Sequence, residues 1–161
     1  MTGMRFDLQP GRVKDEKKCL AWMDRVADRV SRAATSRGLS AEAAYFLAAA
    51  LREALLNAFC HGRDRQGRPW MRVRLRLHGD TLVLTVRDRG PGFDPSRVDD
   101  PLAPEHQDRN RGRGLFFMRQ FSDRVSFAFP GPGGSLVRLE KRLEAGPTPC
   151  AAGDAPAAAR R

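Results

Sequence analysis

The stretch from Met71 to Arg87 constrains the fold more than any other part of the chain. Met71, Val73, Leu75 and Leu77 alternate with Arg72, Arg74 and Arg76; Gly79-Asp80 interrupts, and Thr81 to Arg87 follows as a second run of β-branched and aliphatic residues. Period-two alternation sends successive side chains to opposite faces of a strand. A two-residue Gly-Asp break between two such runs reads as a tight hairpin. One face of the first strand is therefore core and the other strongly basic. A lone hairpin cannot bury its apolar face, so other segments must cover it.

Two helical segments upstream can do so. From about Asp15 to Arg37, Leu20, Met23, Val26 or Ala27, Val30 and Ala34 recur every three or four residues. Gly38 is a natural stop, and Ser40 a natural N-cap for a second helix over about Ala41 to Cys60. That helix carries Leu47, Leu51, Ala54, Leu55 and Ala58 on its apolar face. Met4 to Gln9 reads as a short edge strand, stopped by Pro10 and Gly11. Residues 89–113 form a polar loop with four prolines, too long for a plain connection and suited to a lid. A short helix from Gly114 to Ser122 follows, then strands Arg124 to Phe129 and Ser135 to Leu143 around the turn PGPGG. The layout is α+β: a two-layer sandwich with helices on one face of a mixed, mostly antiparallel sheet. It reads as one domain over residues 1–143, with residues 144–161 an Ala/Pro-rich disordered tail.

Composition excludes several classes. At 41% hydrophobic residues the 161-residue chain can bury a core. No apolar run approaches the roughly 20 residues that span a bilayer, and the N-terminus lacks a signal-peptide pattern, so a cytoplasmic protein without membrane contact is expected. Cys19, Cys60 and Cys150 are odd in number and lack metal-ligand spacing; they read as two semi-buried thiols and one exposed. The net charge of +10 comes almost wholly from arginine, which outnumbers lysine 25 to 4. The arginines are dispersed over helices, strands and loops rather than drawn into one stripe. This suggests solvated surface with some preference for acidic partners and no direct nucleic-acid contact.

Three groupings carry chemistry. Glu53, Asn57 and His61 fall four residues apart on the second helix, on one face, with Gly62 closing it. Asp88-Arg89-Gly90-Pro91-Gly92-Phe93 leaves the end of a strand; its carboxylate can accept a hydrogen bond from an exocyclic amine, and its glycines let backbone approach a flat ring. Asn110-Arg111-Gly112-Arg113-Gly114-Leu115 opens a helix, where exposed N–H groups favour phosphate, and Arg109, Arg111 and Arg113 add charge. Each grouping alone has an ordinary explanation: an ion pair of Glu53 with Arg52 or another arginine beside a semi-exposed Asn57, an Asp-Gly turn, a Gly-rich helix start.

In this order, ExxxNxxxHG on a helix, DxGxGF after a strand and GxGL opening a helix resemble the three ATP-binding boxes of the GHKL ATPases. The resemblance runs from about Met4 to Leu143 and is strongest to the anti-sigma-factor serine/threonine kinases. Glu53-Ala-Leu-Leu-Asn57-Ala-Phe-Cys-His61-Gly62 is similar to their EAxxNAxxHG segment. The helix Gly114 to Ser122, closing at Asp123, resembles their third box, and Gly134-Ser135 their final Gly-Thr strand with Ser in place of Thr. The resemblance implies an ATP-dependent kinase acting on a Ser or Thr of an antagonist protein, with ATP and Mg²⁺ as cofactors. A sigma factor as second partner and a homodimer are further implications. Glu53 would be the general base and Asn57 the metal ligand. Nucleotide contacts would fall on Asn57, Asp88, Gly90, Gly92, Phe93, Arg111, Gly112, Arg113, Gly114, Leu115 and Ser135. His61 stays open between touching phosphate and capping or packing the helix end. The rival expectation is an ATP-binding switch that regulates a partner without kinase turnover.

Overall fold

A computed structural model of the chain describes residues 3–8, 16–92, 113–130 and 133–143. Eight elements follow in order: β1 (Met4–Leu8), α1 (Glu16–Thr35), α2 (Ala41–His61), β2 (Met71–His78), β3 (Thr81–Arg87), α3 (Arg113–Phe121), β4 (Arg124–Ala128) and β5 (Leu136–Arg142). The strands form one five-stranded sheet in the order β1-β2-β3-β5-β4. Every pairing among the described strands is antiparallel, which agrees with the expected α+β layout of helices on a mostly antiparallel sheet. The hairpin β2–β3 pairs His78 with Thr81, and Gly79 takes φ 59° while among the described residues no non-glycine is left-handed. That is the pattern of a turn with glycine at its first central position. Residues 93–112 of the expected lid (89–113) and the tail (144–161) lie outside the described residues.

Local chemistry explains the helix limits. After α1 the Gly38 N–H bonds the Thr35 carbonyl and the Leu39 N–H reaches back to the Ala34 carbonyl, with Gly38 at φ 97° and Leu39 buried. This left-handed glycine stop satisfies carbonyls the helix would leave orphaned. Ser40 Oγ then accepts the Ala43 N–H at 3.2 Å and caps α2. On α1 the buried stripe is Cys19, Met23, Val26, Ala27, Val30 and Ala34, whereas Leu20 is largely exposed. The reading of Leu20 as core is thus one residue out of phase: stepping back four from Met23 lands on Cys19, so the thiol takes the buried position. Cys60, in turn, is exposed rather than semi-buried.

The helices cover one face of the sheet. α2 lies between α1 and α3 and against β2 and β3, which is why Ala44, Ala50, Leu51, Ala54 and Leu55 are all at most 1% exposed. Its many alanines let the neighbouring helices approach closely. The expectation that no apolar run approaches a membrane-spanning length is corrected: by length and composition alone, α2 is long and apolar enough to cross a membrane. Its apolarity is accounted for by packing on several sides at once.

Among the described residues no second layer covers the opposite face of the sheet, and here the arginine reading is corrected. Alternation and register bring Arg72, Arg74 and Arg76 of β2, Arg87 of β3, Arg138 of β5 and Arg124 of β4 to this one face. Val83, at its centre beside Arg76 and Glu140, is only 5% exposed. Long polar side chains with apolar stems can roof such a valine while their charged heads stay in water. Dispersed in sequence, these arginines are gathered by strand pairing.

Leu84, fully buried on β3, packs from the middle of the sheet into the core. Leu84→Ala should lower unfolding stability by about 2–5 kcal/mol, read from the denaturation midpoint in guanidinium chloride. A shift under about 1 kcal/mol would show that this strand is not the centre of the core.

Candidate functional site

Three backbone segments meet at the C-terminal end of α2. Asp88, the first residue past β3, is 7% exposed, and its Oδ1 accepts the Gly90 N–H at 2.9 Å and the Ser135 N–H at 2.8 Å. The Asp88 N–H donates in return to the Ser135 carbonyl at 3.0 Å. Among the described residues no donor reaches Asp88 Oδ2, so one carboxylate oxygen remains available for a ligand. One oxygen fixes the loop; the other can read an incoming amine.

Absent side chains make this arrangement possible. A Cβ on Gly62 would fall 2.5 Å from both Asp88 Cβ and the Ala58 carbonyl oxygen, and one on Gly90 would fall 2.5 Å from Gly62 Cα and the His61 carbonyl oxygen. The Gly134 N–H donates to the Gly90 carbonyl at 2.6 Å, while its φ of 113° favours glycine. The end of α2, the loop after β3 and the entry to β5 thus touch backbone to backbone.

The second half of the site lies one to two turns back along α2. A Cβ on Gly114, the second residue of α3, would stand 3.0 Å from Glu53 Oε2, 3.4 Å from Asn57 Nδ2 and 3.7 Å from Asn57 Oδ1. The start of α3 therefore backs directly onto the two polar side chains of α2, both half-buried. Its first N–H groups carry the positive end of the helix dipole to that place. Burial pushes the Glu53 carboxyl above its ordinary range, and the nearby Arg52 charge offsets this only in part. Arg52 itself pairs with Asp24 at 2.7 Å, so the ordinary explanation of Glu53 as an Arg52 ion pair is not what the structure holds.

The structure thus brings Glu53, Asn57 and Gly114 together at one place and Asp88, Gly90 and Ser135 at another, on successive turns of the same helix end. Leu115 is 7% exposed and belongs to the core, so only its backbone is left to face a ligand. The His61 side chain is exposed, while the C-terminal cap of α2 comes from the Gly62 N–H on the Ala58 carbonyl; capping by His61 is not seen. Gly92, at φ 83°, lies under the ring of Phe129, which a Cβ would approach to 3.0 Å. Phe93, Arg111, Gly112 and the Arg113 side chain lie outside the described residues.

Sequence reasoning missed two neighbours, Phe129 and Trp70. Phe129 is 43% exposed and stands beside Gly92 at the rim. Trp70 is buried, with the Arg89 guanidinium 4.4 Å and the Arg72 guanidinium 5.2 Å from its ring centroid, a cation–π arrangement that ties the loop after Asp88 to β2. Neither ring has a spacing signal, since each is defined by a contact across the sheet. Gly134, by contrast, was legible beside Ser135 through the resemblance to a Gly-Thr strand, though not its contact with Gly90.

Comparison with known proteins agrees with this geometry. Residues 20–141 match the family described as Histidine kinase-like ATPase domain. The Anti-sigma F factor of Anoxybacillus flavithermus is 30% identical over 93 residues, and that of Bacillus velezensis 33% identical over 95. Each match covers 56% of this chain and 64% of the relative, so the chain spans just under two thirds of those proteins. Among solved structures, that of the RsbU and RsbW domains of Rv1364c from Mycobacterium tuberculosis aligns with a TM-score of 0.57 at 17% identity, over 87% of this chain and 32% of that one. The SiaB–SiaC complex from Pseudomonas aeruginosa gives 0.55 at 12% identity, over 86% and 88%. At these identities the solved structures speak for the fold.

The raised Glu53 carboxyl sets a pH dependence. Its charge is less welcome in the folded chain than in the unfolded one, so stability is lost as pH rises through the folded titration and is untouched in acid. Glu53→Gln should therefore raise the thermal midpoint at pH 8, with the gain vanishing as pH falls into the ordinary carboxylate range. A gain that is largest in acid, or a loss at pH 8, would contradict the buried-carboxylate assignment.

Proposed function

The chain belongs to the histidine kinase-like ATPase family, and on that premise we propose that it is an ATP-dependent serine/threonine protein kinase of the anti-sigma-factor type, acting on an antagonist protein. The observation that carries this reading is the contact of Gly114 with both Glu53 and Asn57. It joins a phosphate-attracting helix start to a carboxylate and an amide oxygen. The two curated relatives bear the name Anti-sigma F factor, which supports the regulatory direction of the proposal.

Each group has a distinct task. Asp88 Oδ2 accepts the amine of the adenine ring, held in place because Oδ1 is committed to Gly90 and Ser135. Gly90 and Gly92 keep the base pocket open, with Phe129 at its edge. The N–H groups opening α3 receive phosphate oxygens. Arg111, Gly112 and Arg113 add to the phosphate-binding segment by sequence position.

Asn57 Oδ1 is the amide oxygen suited to Mg²⁺, a hard cation that keeps several waters and needs few protein ligands. The missing Cβ of Gly114 leaves room beside it, so the donor set fits. When bound, the ion would neutralise phosphate charge. Glu53 is the base that takes the proton of the attacking Ser or Thr hydroxyl. Its raised titration suits it, because a base acts best when its affinity for the proton is not too low. In phosphoryl transfer, positioning and charge stabilisation carry most of the acceleration, and this pocket is built to supply both.

Calorimetry and thermal shift with Mg-ATP and Mg-ADP test the pocket. Wild type at about 100 times its Kd should gain roughly 2.7 kcal/mol of stability. Asn57→Ala should lose magnesium-dependent binding, whereas Glu53→Gln should bind ATP but transfer phosphate to the antagonist about 10²- to 10⁴-fold more slowly. No response of wild type to ATP sinks the proposal. ATP binding without any phosphate transfer by wild type would favour a nucleotide switch instead.

A further inference from the structure

Arg89 follows Asp88 directly, yet its guanidinium lies over Trp70, 4.4 Å from the ring centroid. The indole is buried, at 6% exposure, while Arg89 is exposed. We propose that this pair is a latch for adenine selectivity: Trp70 and Arg89 are positioning residues that hold Asp88 Oδ2 toward the amine of the base. The proposal rests on the reading of the pocket as an ATP site.

Backbone geometry shows where a latch is needed. Asp88 Oδ1 is held by the N–H groups of Gly90 and Ser135 at 2.9 and 2.8 Å. The Gly90 bond lasts only while the chain from Asp88 to Gly90 keeps its turn. Gly90-Pro91-Gly92, which follows, has little side chain with which to anchor itself. Within that turn the Arg89 N–H reaches the Gly62 carbonyl at 3.3 Å, longer than a backbone bond usually is. The main chain is thus held loosely at Arg89, and the Arg89 side chain adds the missing hold.

Trp70 is a firm anchor for it. The residue stands just before β2, after a turn in which Asp64 Oδ1 accepts the N–H groups of Gln66 and Arg68, both at 2.9 Å. Asp64 Oδ2 accepts from Arg68 Nε at 3.0 Å. The ring also meets the Arg72 guanidinium at 5.2 Å, and Arg72 pairs in the sheet with Arg87, the residue before Asp88. Both chain neighbours of Asp88 are therefore referred to one indole, Arg89 by contact and Arg87 through its strand partner.

Selectivity follows from the chemistry of the two purines. On the edge that distinguishes them, adenine offers an amine and guanine a carbonyl oxygen. A fixed carboxylate oxygen attracts the first and repels the second. Loosening Asp88 therefore weakens ATP, whereas GTP, held through its phosphates, loses nothing. A latch that served only to staple the loop would weaken both alike.

The test measures the affinities of the full chain for ATP and GTP, each with Mg²⁺, by calorimetry. Wild type should prefer ATP. Arg89→Gln should lower the preference about two- to fivefold, the worth of one exposed cation–π contact, through ATP alone. Arg89→Lys keeps a cation over the ring and should retain most of it. Trp70→Leu should lower the preference too, and adding Arg89→Gln to it should lower it no further. An unchanged preference in Arg89→Gln, an exposed position whose exchange leaves the core intact, overturns the latch and leaves the ATP reading standing. A Lys variant no better than Gln, or losses that add in the double variant, overturns it as well. Wild type that binds neither nucleotide overturns the ATP reading and the latch with it.

Discussion

Everything at the candidate site hangs on the fixation of one carboxylate oxygen by two backbone N–H groups. Asp88 Oδ1 ties the loop that follows β3 to the entry of β5, and the reciprocal bond from the Asp88 N–H to the Ser135 carbonyl closes the pair. A buried carboxylate without such donors would be costly, so the same bonds that satisfy it also define where it points. The glycines at 62, 90 and 134 are the corollary, since the clamp closes only where backbone can touch backbone.

The sheet shows a related economy. Among the described residues one face is covered by three helices and the other by no second layer, yet the valine at its centre is almost as inaccessible as the core. The apolar stems of the arginines on that face are suited to provide the cover. The arrangement leaves the outer face highly charged without exposing a large apolar patch.

Local signals in the sequence were legible where a short-range rule governs. The hairpin at Gly79-Asp80, the cap at Ser40 and the stop at Gly38 each depend on residues within a turn of one another, and each was readable. So was the four-residue spacing of Glu53 and Asn57, since one helix decides it. Adjacent apolar residues defeat such rules: Leu20 and Cys19 both suit a buried stripe, and only the packed phase of the helix separates them. Long-range pairing was not legible at all. The sheet order, the gathering of the strand arginines and the bond from Asp88 to Ser135 across 47 residues are fixed by tertiary contact, which no local pattern encodes. Trp70 and Phe129 belong to that class.

The wide separation of Glu53 and Ser135 in the chain bears on how the protein comes into being. During synthesis the N-terminal helices emerge first, and α2 can begin to pack before the sheet is finished. The loop after β3 cannot take its final form until residues 134 and 135 have left the ribosome, because its anchoring partners are the backbone groups there. A nascent chain is thus without a nucleotide pocket until its last strand is made. Any help that nucleotide gives to folding comes only at the end, as a seal on a finished domain rather than a guide to an unfinished one.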